Sequence, residues 1–216
     1  MNLSRKNSAR CIFWGVLWWG ATLLMACDAP STNPPSTPQD APVFHAMEIR
    51  DPQQSHPQAQ DFRLKDAKGQ ERTLADWRGK AVLLFFGYVH CPDVCPTTLL
   101  RAAQAVALLG DNAERVQVLF VTLDPQRDTP EVLREYAPAF HPAFLGLYAA
   151  PEDTPKLARD FRVFYQINPG STPNTYSIDH SVMTYVYDPQ GRLRLSIGHD
   201  ATPEEVAADI KKLLES

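Results

Sequence analysis

Cysteine is scarce in this chain, four in 216 residues, which excludes a small scaffold held together by several disulfides. The longest apolar run, Cys11–Ala26, has 16 residues, short of the roughly 20 that a spanning helix needs. Basic residues are outnumbered, 21 Lys and Arg against 25 Asp and Glu. With no basic patch and no interleaving of aromatic and basic residues, nucleic acid is not an expected partner. There is no internal repeat. What is present is 44% hydrophobic and 21% charged, enough to bury one good core, so one main domain is expected.

The first 26 residues carry Arg5, Lys6 and Arg10, no acid, and the apolar run "CIFWGVLWWGATLLMA". That charge polarity and length are those of a secretory signal. The run ends in Leu24-Met25-Ala26-Cys27, which resembles a bacterial lipobox, in which the cysteine receives lipid and becomes the mature N-terminus. Asp28 resembles the residue that keeps Gram-negative lipoproteins on the inner membrane. The expected address is therefore the inner membrane, lipid-anchored at Cys27, with the soluble part facing the periplasm or outer side, an oxidising space. The alternative is an uncleaved signal anchor with an incidental Cys27. Losing residues 1–26 removes three positive charges and leaves 18 basic against 25 acidic residues, a net charge of −7. Asp28–Pro42, "DAPSTNPPSTPQDAP", has five prolines in fifteen residues and only two alanines as apolar side chains. It reads as an extended tether of about 40 Å that lets a domain spanning 43–216 reach a partner in the same bilayer.

From Val43 the pattern is globular. "FRLKDAKGQERTL" (Phe62–Leu74) reads as a hairpin turning at Lys68-Gly69. "AVLLFFGY" (Ala81–Tyr88) and "VQVLFVTL" (Val116–Leu123) read as strands buried on both faces. Between them Leu99, Leu100, Ala103, Val106 and Ala107 recur at helical spacing, so a right-handed parallel crossover is expected. Thr129-Pro130, Thr154-Pro155 and Thr202-Pro203 each predict a helix start, with threonine as cap and proline in the first turn. Glu205 adds a capping box at the last. Val182–Gly198 alternates around Asp188–Gly191 as a second hairpin. The predicted order is hairpin, strand, helix, strand, helix, helix, hairpin, helix, an α/β arrangement that looks like a thioredoxin-like fold with a central mixed sheet flanked by helices. Tyr165–His180 reads as a long polar loop presented toward the site.

With Cys11 cut away and Cys27 lipidated, Cys91 and Cys95 of "GYVHCPDVCPTT" are left for chemistry. They sit where a buried strand ends and a helix begins, the edge at which α/β sheets place ligands. Pro96 suits the first turn, so Cys95 is expected near free amides that favour a negative sulfur, with a lowered thiol pKa. As a staple the pair closes too short a loop to stabilise much. Structural zinc wants four protein ligands, whereas two thiolates with one imidazole suit copper, cuprous copper most of all. Of six histidines, His90 adjoins Cys91, but neighbouring side chains in an extended strand point to opposite faces. His180 precedes a strand expected beside the one ending at Tyr88, and spacing favours it only modestly.

"FFGYVHCPDVCPTTL" (Phe85–Leu99), "VTLDPQRDTPEVLREYA" (Val121–Ala137) and "YSIDHSVMTYVYDPQG" (Tyr176–Gly191), in this order, resemble the Sco/SenC family, membrane-anchored copper proteins that help assemble cytochrome c oxidase. The resemblance covers roughly Asp61–Ser216. It implies that Cys91, Cys95 and His180 bind one copper ion. Val89 stands where the family usually has threonine, and Gln126 where glutamate is common, and neither is a proposed ligand. Asp124 reads equally well as a strand-end turn or as a residue orienting the site.

Two functions follow. In the first, a metallochaperone holds Cu(I) and passes it by ligand exchange to cysteines of oxidase subunit II, where the binuclear copper centre forms. Cu(II) is also accommodated, with an oxygen as fourth ligand, and no catalysed reaction is required. A copper donor and a thiol reductant are the further partners. In the second, Cys91 and Cys95 are the redox pair of a thiol-disulfide reductase acting on the same subunit. The Cys-x-x-x-Cys spacing and the "DHSV" stretch, where redox thioredoxins of this fold carry a proline, weaken that second function. A peroxidase or sensor role is a more distant third.

Overall fold

The computed structural model describes residues 43–57, 59, 61–172 and 175–216. The signal-type segment, Cys27 and the Pro-rich tether lie outside the described residues. In chain order the elements are β1 (Met47–Glu48), α1 (Pro52–Ser55), β2 (Arg63–Asp66), β3 (Glu71–Thr73), β4 (Ala81–Gly87), α2 (Val94–Leu108), β5 (Val116–Thr122), α3 (Pro130–Tyr136), β6 (Leu145–Tyr148), α4 (Thr154–Asp160), β7 (Tyr165–Asn168), β8 (Ser177–His180), β9 (Thr184–Tyr187), β10 (Leu193–Ile197) and α5 (Pro203–Glu215). Among the described residues no helix is long and apolar enough to cross a membrane.

The central sheet runs β1-β10-β9-β4-β5-β6-β2-β3. β4, β5 and β6 are parallel and the remaining pairings are antiparallel. This is a thioredoxin-like mixed sheet. Every residue of β4 and β5 is buried, as continuous apolar runs require when both sheet faces are covered. Alternation divides β4 between the layers. Ala81, Leu83 and Phe85 face the core under α2 and α5, and Val82, Leu84 and Phe86 face the core that contains Trp77 and Phe161.

The hairpins and caps follow local chemistry. Gly69 turns the first hairpin with φ 76°, a conformation that glycine takes at no steric cost, while Asp66 Oδ1 accepts from the Lys68 and Gln70 amides. Asp188 Oδ1 does the same for Gln190 and Arg192 in the second. At α5 the Thr202 hydroxyl accepts from the Glu205 amide and the Glu205 carboxylate accepts from the Thr202 amide, at 3.2 and 2.9 Å.

Two expectations need correction. Thr154 does not cap α4: it is the first helical residue, after Asp153, and its buried hydroxyl donates to the Ala150 carbonyl. Helix α2 starts at Val94, so Pro96 lies in its first turn and Cys95 is its second residue, as expected. Tyr165–His180 is not one loop, because β7 and β8 pair antiparallel as a separate two-stranded sheet, with Tyr165 opposite His180 and Ile167 opposite Ile178. Four-residue strands with mixed polarity, separated by the eight residues 169–176, carry too little alternation to be recognised in sequence. The strands β1 and β6, of two and four residues, are too short to show any period.

Replacing Thr202 with alanine leaves the first amides of α5 without their cap. The expected cost is about 1 kcal/mol, measured as a lower midpoint in urea with an unchanged slope.

Candidate metal centre

The register of the sheet explains why residues 85 positions apart meet. Phe85 pairs with Thr184 across the antiparallel β4–β9 ladder. Continuing that register past the end of β4 brings the end of β8 level with the segment just before Cys91. His180 and the two cysteines thus converge on the edge where β4 ends and α2 begins. Cys91 Sγ, Cys95 Sγ and a ring nitrogen of His180 all lie within 4.8 Å of one another, and among the described residues this is the group of His, Cys, Asp and Glu side chains able to hold a metal ion.

Each member is oriented by its surroundings. Cys95 is fully buried and Cys91 half-buried, and both are free thiols. The Cys95 sulfur lies 3.4 Å from His180 Nε2. His180 Nδ1–H donates to the Ser181 carbonyl at 2.9 Å. That bond selects the tautomer whose Nε2 lone pair faces the sulfurs, the usual way a ligating imidazole is oriented. The edges of Phe85 and Tyr88 pack against the ring, with centroids 6.2 and 6.0 Å away.

The negative charge belongs to Cys91, not to Cys95 as the sequence suggested. The Cys95 thiol, then the Asp93 and Cys95 amides, then His180, hold the Cys91 pKa down at about 4 against the opposing effect of burial. Cys95 is pushed the other way, first by Cys91 and then by burial. The reason is geometric. Cys95 is inside the first helical turn with its side chain under β4, whereas Cys91 lies in front of that turn, where the free amides point.

Gly87 makes room for this arrangement. By alternation its missing side chain would follow Phe85 onto the α2 face, and a Cβ there would stand 2.6 Å from Cys95 Sγ and 3.0 Å from the Phe120 ring. Sequence reading missed Gly87, although it is the glycine that breaks an otherwise apolar strand.

The other histidines stay away. His90 is an exposed turn residue 3.9 Å from Asp128 Oδ1, so it is a turn, rather than strand alternation, that separates it from Cys91. His141 accepts from the Ala143 amide. Asp124 is the strand-end turn residue of its first reading: its carbonyl accepts from the Arg127 and Asp128 amides, and its carboxylate accepts from Tyr176 Oη at 2.6 Å and from Arg127 Nε. Asp128, unremarked in the sequence, is buried and accepts from the Val89 amide at 3.0 Å and the Thr122 hydroxyl at 2.6 Å. Its place in the block "DPQRDT" was the available signal.

Two outcomes follow from this geometry. Alkylation of the reduced protein by iodoacetamide, mapped by mass spectrometry, should modify Cys91 at a rate that is flat from about pH 6 upward, because its thiolate is already formed there. Cys95 should stay unmodified over the same range, and equal titration of both near pH 8.5 would contradict the assignment. Gly87→Ala should destabilise the fold by about 1–3 kcal/mol through overpacking, and a crystal structure of the variant should show the Cys95 sulfur displaced from His180.

The SCO1/SenC family model matches residues 50–215. The mitochondrial SCO2 homolog of Mus musculus is 37% identical over 154 residues, which cover 70% of this chain and 60% of that protein. This chain therefore spans about three fifths of that relative's length. Among solved structures, apo Sco1 of Thermus thermophilus is similar at 42% identity and TM-score 0.67, covering 78% of this chain and 96% of that one. Copper-bound ScoI of Bradyrhizobium japonicum is similar at 37% identity and TM-score 0.64, covering 70% and 96%. With most of its length matched by the family model and its fold shared with these structures, the chain belongs to the SCO1/SenC family.

Proposed function

We propose that the chain is a copper metallochaperone in which Cys91, Cys95 and His180 bind one copper ion and pass it to the binuclear copper site of cytochrome c oxidase subunit II. The observation that carries this reading is the convergence of two sulfurs and one oriented imidazole nitrogen within 4.8 Å. Such a donor set is soft and suits cuprous copper. Copper bound to a solved relative and the oxidase-assembly role of the family support it.

The asymmetry of the cysteines gives the transfer a direction. Copper entering the site takes the place of the proton held between the sulfurs, because metal ligation needs both thiolates. Three ligands leave coordination positions open, so an acceptor thiolate can bind before an old one leaves. It arrives at half-buried Cys91, since Cys95 is closed off by β4 and α2. Cys95 and His180 then release the ion last.

The low Cys91 pKa favours thiol-disulfide reduction as a second reading. A Cys91 thiolate attacks an acceptor disulfide and expels one acceptor thiolate. Cys95 then loses its proton, attacks the mixed disulfide and expels the second, leaving a Cys91–Cys95 disulfide and a reduced acceptor.

Cys27 would carry the lipid and Asp28–Pro42 the reach, placing the domain on the outer face of the inner membrane. A copper donor and a thiol reductant complete the set of partners.

His180→Ala separates the two readings. Three-coordinate copper binding and oxidase assembly should be lost, while reduction of a model disulfide persists. Full assembly in that variant would contradict the chaperone reading.

A further inference from the structure

The ligands come from two parts of the chain that share no ladder. Cys91 and Cys95 follow β4 of the central sheet, while His180 ends β8 in the separate β7–β8 sheet. A two-stranded hairpin of this size holds its position weakly by itself. The β9–β4 ladder brings this segment to the right edge of the sheet, but no strand pairing of β8 itself fixes its distance from the cysteines.

The turn after β5 touches both parts. On the cysteine side, buried Asp128 accepts from the Val89 amide, two residues before Cys91, and from Thr122 at the end of β5. On the histidine side, Tyr176 Oη donates to Asp124 at 2.6 Å, and Arg127 Nη1 donates to the Tyr176 carbonyl at 2.9 Å. The Arg127 guanidinium also lies over the Tyr176 ring, 3.5 Å from its centroid, and 5.8 Å from that of Tyr88. Arg127 and Asp124 are themselves paired and largely buried, and charge-assisted bonds shielded from water are the stronger kind. The turn is anchored to a central strand, so both sets of bonds share one rigid base.

We propose that Asp124, Arg127 and Asp128 are positioning residues, a brace that sets the separation between the sulfur pair and the His180 imidazole. Asp128 fixes the cysteine segment, Asp124 and Arg127 fix Tyr176 and with it β8, and none of the three touches the copper. Severing the Tyr176 side should free the histidine while leaving the cysteines in place. The inference rests on the copper reading for its purpose, but its geometric content holds in the metal-free protein.

The test uses the full chain with Tyr176→Phe, which keeps the ring and removes the hydroxyl, and separately Arg127→Lys, which keeps the charge but not the planar fork. Without copper, hydrogen exchange read by mass spectrometry should accelerate about tenfold or more across residues 175–181, with β4, β5 and the cysteine segment unchanged. With one equivalent of cupric copper, the nitrogen hyperfine splitting from His180 should weaken in the electron paramagnetic resonance spectrum, while Cys91 alkylation before copper is added stays at the parental rate. Parental exchange at 175–181 in both variants would overturn the brace. Acceleration spread evenly over the sheet would overturn it too, since the turn would then be ordinary core support. If the parent protein shows no nitrogen coordination, the copper reading fails, and the exchange experiment still decides the brace.

Discussion

The site depends on one constraint, the antiparallel ladder between β9 and β4. It folds a late segment back along the strand that delivers the cysteines, and so brings His180 to the edge of the sheet where the Cys95 sulfur lies, 3.4 Å from Nε2. Without that pairing the chain would hold only a dithiol at a helix N-terminus. With it, the same dithiol gains a third donor whose tautomer is already chosen by the Ser181 carbonyl. Preorganisation of this kind matters most for an open site, because fewer donors leave less ligation energy to reorganise the protein.

Burial then separates the two sulfurs by role. Cys95 is enclosed beneath β4, in space that exists because residue 87 has no side chain. Cys91 stands in front of the free amides of α2 and carries the charge. One sulfur belongs to the core and the other to the surface. A metal held between them is gripped from inside and approached from outside, and the same asymmetry would give a dithiol its attacking and resolving members. The two chemistries share a geometry, and the imidazole is what distinguishes them.

Much of this was legible in sequence because the informative features are local. The apolar runs of β4 and β5, the Gly69 and Gly191 turns and the Thr202 capping box each state their structure within a few residues. Cys91, Cys95 and His180 were identified through three sequence blocks whose resemblance to a family supplied what spacing left open. The failures have a common physical cause. The charge on Cys91 depends on the Cys95 thiol beside it and then on where amides point in three dimensions, and a cysteine's distance from a helix start gives neither. The β7–β8 hairpin is too short and too polar to signal itself, and Asp128 acts by a hydrogen bond across 39 positions to Val89. Gly87 was visible as a letter, but its reason is the sulfur packed against it from another element.

Coordination by two sulfurs and one nitrogen can be read from X-ray absorption at the copper edge. The protein carrying Cys11→Ser and Cys27→Ser, loaded with one equivalent of cuprous copper, should show three ligands, two sulfur and one nitrogen, with the nitrogen signal lost in His180→Ala. A two-coordinate spectrum of sulfur alone, unchanged by that substitution, would contradict the account.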